Sequence, residues 1–162
     1  MWEGGIFNFV IKYADNNGLN YAHADIQNQR LLIQKIGGFD LRILVIDDSE
    51  EIAEAIHFFC ESMKDIECYL INNGRQGLER IKSENFDLVM LDLAMPEFSG
   101  LDVLKPLKQD GVVESNNIVV FTASSDVKTL NEIRKSGVKE VFKKPFSLDD
   151  ITALIEKYRP IA

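Results

Sequence analysis

Two short apolar runs that each close on an aspartate constrain this chain more than any other feature. Arg42-Ile43-Leu44-Val45-Ile46 ends in the acidic pair Asp47-Asp48, and Asp87-Leu88-Val89-Met90-Leu91 ends at Asp92. Runs this short, aliphatic and without polar alternation, read as strands buried on both faces of a parallel sheet. Carboxylates have no place inside such a sheet, so they are expected at the strand ends, and in an open α/β sheet the carboxyl ends of the strands are where ligands bind. Two further runs finish in polar residues: Ile118-Val119-Val120-Phe121 stops at Thr122, and Val141-Phe142-Lys143 leads to Lys144-Pro145. Three carboxylates, a hydroxyl and an ammonium are thereby delivered to one rim.

From residue 42 onward strands alternate with helices. Ser49 caps a helix in which Ile52, Ala55, Ile56, Phe59 and Met63 recur at helical spacing. Glu67-Cys68-Tyr69-Leu70-Ile71 is the second strand, Asn73-Gly74 a turn, and Gly77, Leu78 and Ile81 mark the next helix. After Asp92 comes the loop Leu93-Ala94-Met95-Pro96-Glu97-Phe98-Ser99-Gly100, then a helix from about Leu101 to Gln109 that Pro106 should kink or shorten. Ser124-Ser125-Asp126 caps a helix that stops at Gly137, and a last helix carries Leu148, Ile151, Leu154, Ile155 and Tyr158 on one face. Five strand-then-helix repeats imply an α/β fold, a parallel sheet with helices on both faces.

Residues 1–41 stand outside this pattern. Ile6, Phe9, Val10 and Tyr13 lie at helical spacing before Asn16-Asn17-Gly18, which looks like a helix stop. Ala22, Ile26, Ile33 and Ile36 form a second stripe, and together they predict an N-terminal helical extension, a hairpin. Ile6 to Lys12 as a strand is the rival, since Ile, Phe and Val favour either state. A hairpin of this size cannot bury its own stripes, so a homodimer held through residues 1–41 is expected, with packing on the same chain as the alternative.

A chain of 162 residues with 46% hydrophobic content can bury one core and a small appendage. Its net charge of -8 argues against direct nucleic-acid binding and against anionic membrane surfaces. No apolar stretch is long enough to span a bilayer, and Met1-Trp2-Glu3 carries an acid where a signal peptide carries a base, so a cytoplasmic location is expected. Cys60 and Cys68 have no Cys or His at ligand spacing and read as small apolar residues rather than as a disulfide or metal site.

Three carboxylates brought close together repel, and without a metal they share protons or take up a cation. Hard oxygen ligands without His or Cys favour magnesium, and a bound divalent ion invites a phosphoryl group. Lys144 would supply a point positive charge on the opposite side of that group and Thr122 a hydroxyl donor. The plainer alternative, that each acid caps the helix after its strand, suits Asp48 or Thr122 singly. It fails for the set, because Asp92 precedes a loop containing Pro96 and Lys144 is no cap.

At these residues the chain resembles the receiver domain of two-component response regulators. The resemblance rests on Ile46-Asp47-Asp48, Leu91-Asp92-Leu93-Ala94-Met95-Pro96, Phe121-Thr122-Ala123 and Lys144-Pro145-Phe146, four motifs in order that cover residues 42–160. It implies a flavodoxin-like, five-stranded parallel sheet of order 2-1-3-4-5 over a domain at 42–162. It also implies a magnesium-dependent transfer of phosphoryl from a sensor histidine kinase or phosphotransfer protein to Asp92, with manganese able to substitute. By the same match Asp47, Asp48, Asp92 and the backbone carbonyl of Ala94 would hold the metal, and Thr122 and Lys144 would bind the phosphoryl oxygens. The protein would be a phospho-accepting signalling protein rather than an enzyme, and would act on a target protein through protein–protein interaction.

Receivers usually carry an aromatic residue on strand five three residues before the lysine; here that position is Val141, and alternation points Phe142 to the opposite face. In the family an output domain normally follows the receiver, and here residues 1–41 stand in front of it, outside the resemblance. Val141 therefore keeps a second reading in view, a constitutive interaction or dimerisation module that retains the fold. A magnesium-dependent phosphatase would need an acid at Ala94 and is set aside. His23 is too isolated for a phosphotransfer module, which requires a four-helix bundle.

Overall fold

The unbroken apolar runs become strands because both of their faces find cover. The computed structural model describes residues 9–15, 18–24, 41–63 and 65–159. In chain order the elements are β1 (Phe9–Asp15), β2 (Gly18–Ala24), β3 (Leu41–Ile46), α1 (Glu50–Ser62), β4 (Ile66–Ile71), α2 (Gly74–Ser83) and β5 (Leu88–Asp92). They continue with α3 (Gly100–Gln109), α4 (Val112–Ser115), β6 (Ile118–Thr122), α5 (Val127–Lys135), β7 (Glu140–Lys143) and α6 (Leu148–Tyr158).

The unit from Leu41 onward is built on a parallel sheet of order β4-β3-β5-β6-β7, which counted from β3 is the expected 2-1-3-4-5. Alternate residues of each central strand enter opposite cores. Leu44, Ile46, Val89, Leu91 and Val120 pack with Ile81, Leu104, Leu107 and Ile133 from α2, α3 and α5. Leu41, Ile43, Val45, Met90 and Phe121 pack with Ile56, Cys60, Ile151, Leu154 and Ile155 from α1 and α6. Each such buried aliphatic side chain contributes about 1.5–3 kcal/mol, so the two layers outweigh the weak local preferences of short segments.

The helix starts are set by side chains. Ser49 accepts from Ile52 N–H at 3.4 Å at α1, and Asn73 accepts from Arg75 N–H at 2.9 Å at α2, where a turn was expected. Ser99 and Ser147 form capping boxes at α3 and α6, and Asp126 caps α5. Pro106 does not shorten α3, which continues to Gln109 with the Asp110 N–H donating to the Pro106 carbonyl at 3.0 Å. The short α4 was not foreseen. No disulfide joins the buried Cys60 to the half-buried Cys68.

Residues up to Asp40 form a separate unit, one residue short of the expected boundary. Its described residues correct the helical hairpin: β1 and β2 pair antiparallel, from Phe9 opposite Ala24 to Asp15 opposite Gly18. Phe, Val, Ile and Tyr, which occupy most of Phe9–Tyr13, favour the pleated state, and this outweighs the helical spacing of Phe9, Val10 and Tyr13. Asn-Asn-Gly is as good a hairpin-turn signal as a helix stop. Ala22 lies in β2, whereas Ile6, Ile26, Ile33 and Ile36 fall outside the described residues.

Candidate functional site

The chain reverses its direction of travel across the sheet at β3, with β4 on one side and β5 on the other, and an open α/β sheet places its crevice outside the carboxyl ends at such a switch point. Asp47 follows β3 directly, held at the rim by its N–H donating to the Ile71 carbonyl at 3.1 Å. Asp92 is the last residue of β5 and Thr122 the last of β6. Lys144 follows β7, and its N–H donates to the Thr122 carbonyl at 2.9 Å. Asp47, Asp92 and Thr122 are almost fully buried, at 4%, 4% and 2% exposure, whereas Asp48 is exposed.

One carboxylate oxygen from each of Asp47, Asp48 and Asp92 lies within 4.8 Å of the others. The Lys144 ammonium reaches Asp92 Oδ1 at 2.7 Å and Asp47 Oδ2 at 2.9 Å. Lys144 therefore touches both acids directly. The remaining oxygens are also occupied: Asp47 Oδ1 accepts from Ser49 N–H at 2.9 Å, and Asp92 Oδ2 from Ala94 N–H at 3.1 Å. Thr122 Oγ1 accepts from Ser124 N–H at 3.0 Å. None of the three acids caps a helix, since Ser49 and Ser99 do that, so the plainer reading of these carboxylates does not hold.

Two buried acids and one ammonium leave the charge uneven. Burial pushes the Asp92 carboxyl above its usual range; the Lys144 ion pair pulls it down and the charge of Asp47 pushes it up again. Burial alone would lower Lys144, but hydrogen bonds and ion pairs to Asp47 and Asp92 outweigh it and hold the ammonium above its ordinary value. An all-oxygen cluster of this size, with a net surplus of negative charge, fits a hard divalent cation such as magnesium.

All five residues anticipated at the rim, Asp47, Asp48, Asp92, Thr122 and Lys144, are brought there. Val141 packs with the core under α2, α3 and α5, whereas Phe142 packs with the opposite one, 5.5 Å from the Phe121 ring, which is 4.9 Å from Phe146. Alternation along β7 thus placed both correctly. Unforeseen was the seating of the loop after Asp92 against Gly74 and Arg75 of α2, a contact between segments some twenty residues apart that leaves no local pattern.

Residues 43–156 match the family of the response regulator receiver domain. The transcriptional regulatory protein CrdR of Helicobacter pylori is 31% identical over 117 residues, 72% of this chain and 54% of that protein. Sporulation initiation phosphotransferase F of Bacillus subtilis is 29% identical over 121 residues, 74% of this chain and 94% of that protein. The receiver domain of the Francisella response regulator 1452 superposes with a TM-score of 0.65 at 26% identity, covering 73% of this chain and 95% of that one. The chain spans about half the length of several curated relatives that it matches, CrdR at 54% and the probable C4-dicarboxylate response regulator DctR of Bacillus subtilis at 52%. Among the described residues no helix is long and apolar enough to cross a membrane.

Proposed function

This chain belongs to the response regulator receiver domain family, and on that footing we propose that Asp92 takes a phosphoryl group from the phosphohistidine of a sensor kinase or phosphotransfer protein. The observation that carries the reading is the convergence of Asp47, Asp48 and Asp92 within 4.8 Å around an ammonium 2.7 Å from Asp92. A carboxylate oxygen of Asp92 attacks phosphorus, the bond from phosphorus to the donor's imidazole nitrogen breaks, and the released imidazole takes a proton. The product is an acyl phosphate on Asp92. Lys144 moves from Asp92 to an oxygen of the bound phosphoryl group, and Thr122 turns its hydroxyl towards another. Asp47, Asp48, Asp92 and the carbonyl of Ala94 would hold magnesium or manganese, whose charge offsets that of the transferring group.

The signal then passes to a target protein. The sporulation phosphotransferase, nearly all of whose length is matched, supports a relay role, and the transcriptional regulator a switch that feeds an output module. The second reading, a constitutive interaction module, is favoured by one observation: Val141, packed in the core under α2, α3 and α5, stands where receivers usually carry an aromatic residue. Self-association through residues 1–41 belongs to both readings, because a two-stranded hairpin such as β1 and β2 is marginal alone. Light scattering is expected to show a full-length dimer and a monomer for a chain starting at Phe39; a full-length monomer contradicts it.

The site is tested by dividing its labour. Asp48→Ala is expected to weaken magnesium binding by about tenfold or more in calorimetry, whereas Lys144→Ala keeps the metal and loses the response to phosphorylation. Loss of metal binding in Lys144→Ala would contradict these roles.

A further inference from the structure

The loop between β5 and α3, residues 93–99, is pinned from two sides. Towards the sheet, Leu93 N–H donates to the Phe121 carbonyl and Gly100 N–H to the Leu93 carbonyl, both at 3.0 Å. A Cβ on Gly100 would lie 2.6 Å from the Asp92 carbonyl oxygen, so α3 starts this close to β5 only because the residue is glycine. On the other side stands the first turn of α2. A Cβ on Gly74 would lie 2.4 Å from the Phe98 carbonyl oxygen and 3.0 Å from Met95 Cε. The Arg75 guanidinium carbon is 4.9 Å from the centre of the Phe98 ring.

These contacts grip the residues around Ala94 and leave Ala94 itself exposed. Leu93 and Met95 on either side are 8% and 6% exposed. Glu97, further along the loop, holds a left-handed φ of 60°, an uncommon backbone state for a residue other than glycine that packing must sustain. Neither Gly74 nor Arg75 belongs to the acidic cluster. We infer that the first turn of α2, through Gly74 and Arg75, positions residues 93–99 and so sets the affinity of the acidic cluster for a divalent cation.

This rests on the metal-holding reading above, in which Ala94 contributes its carbonyl. Gly74 and Arg75 are positioning residues: they act on the ion only through the loop. Gly74→Ala forces the loop outwards, because the clash is with backbone that no rotamer can relieve. Arg75→Ala removes the stack on Phe98 while leaving the backbone of α2 intact, and Arg75→Lys keeps a cation over the ring.

The experiment is calorimetric titration of the full chain with magnesium chloride, with thermal unfolding in chelator run beside it. Gly74→Ala is expected to weaken binding about tenfold or more, in the range seen when the supports of metal ligands are removed. Arg75→Ala is expected to weaken it about two- to fivefold with the unfolding midpoint close to the wild type, and Arg75→Lys to restore most of the affinity. Should Gly74→Ala fail to fold, Arg75→Ala decides. Wild-type affinity in Arg75→Ala overturns the inference whatever Gly74→Ala does. A wild-type chain that binds no magnesium, or Asp48→Ala binding as tightly as wild type, overturns the metal reading itself and this inference with it.

Discussion

The two ends of the parallel sheet both gather charge, and they treat it in opposite ways. At the amino ends of the strands Arg42, on β3, is saturated: its side chain donates to Glu67 at 3.0 Å, Glu84 at 3.0 Å and the Asn85 carbonyl at 2.9 Å. The guanidinium also stacks on the rings of Tyr69 and Phe86, 5.4 and 5.1 Å from their centres. At the carboxyl ends three carboxylates converge and one ammonium pairs with two of them, Asp47 and Asp92, and the Asp92 carboxyl is pushed up by burial and by its acidic neighbour. The first arrangement is complete in itself. The second keeps a surplus of negative charge, and this is what distinguishes a structural clasp from a candidate site.

The contrast can be broken by removing charge at each end. Arg42→Met removes the guanidinium from Glu67 and leaves Glu84 to Arg80 alone, and is expected to cost about 2 kcal/mol in denaturant unfolding, an intermediate value because these side chains are a quarter to a third exposed. Asp92→Asn should do the reverse. With Lys144 still paired to Asp47, loss of the under-compensated carboxylate is expected to stabilise the chain in chelator by about 1 kcal/mol. A destabilised Asp92→Asn would mean that the rim is as well balanced as the clasp.

The smallest effect is in pH. Burial would raise Glu84, but hydrogen bonds from Arg42 and Arg80 hold it below its usual range. Its contribution to stability is therefore complete above the ordinary glutamate range and disappears as pH falls through the lower, folded value. Lys144 is raised by its two carboxylates against the effect of burial, so its contribution is complete below the ordinary lysine range and disappears as pH rises through the higher, folded value. Glu84→Gln is expected to flatten the acid side of the stability profile by about 0.5 kcal/mol, and Lys144→Met the alkaline side in chelator. If either substitution flattened both sides, the two ends would be coupled rather than independent.

The rim was legible from sequence because it depends on strand ends, and buried strands announce themselves as unbroken aliphatic runs. Asp47, Asp92, Thr122 and Lys144 each follow or close such a run, so their convergence needed only the parallel sheet. The side of the sheet to which Val141 and Phe142 point followed from alternation alone. The α2 contact with Phe98 was not legible, since Gly74 gives no sign of what will approach it. The N-terminal segment misled for a different reason: Phe9, Val10 and Tyr13 stand at helical spacing, yet Phe, Val and Tyr are strand formers, and only the pairing of β1 with β2 decides between the two. The direct contact of Lys144 with both Asp47 and Asp92 was not legible either, because it depends on the distance between strand ends rather than on any local pattern.

The central claim is that the uneven charge at the rim exists to accept a phosphoryl group on Asp92. The most direct test incubates the full chain with acetyl phosphate and magnesium and maps the label by mass spectrometry after reduction of the acyl phosphate. The expected result is a single modified residue, Asp92, with labelling lost in excess chelator and in Asp92→Asn. Labelling that persists in Asp92→Asn, or that proceeds without a divalent cation, would contradict the account.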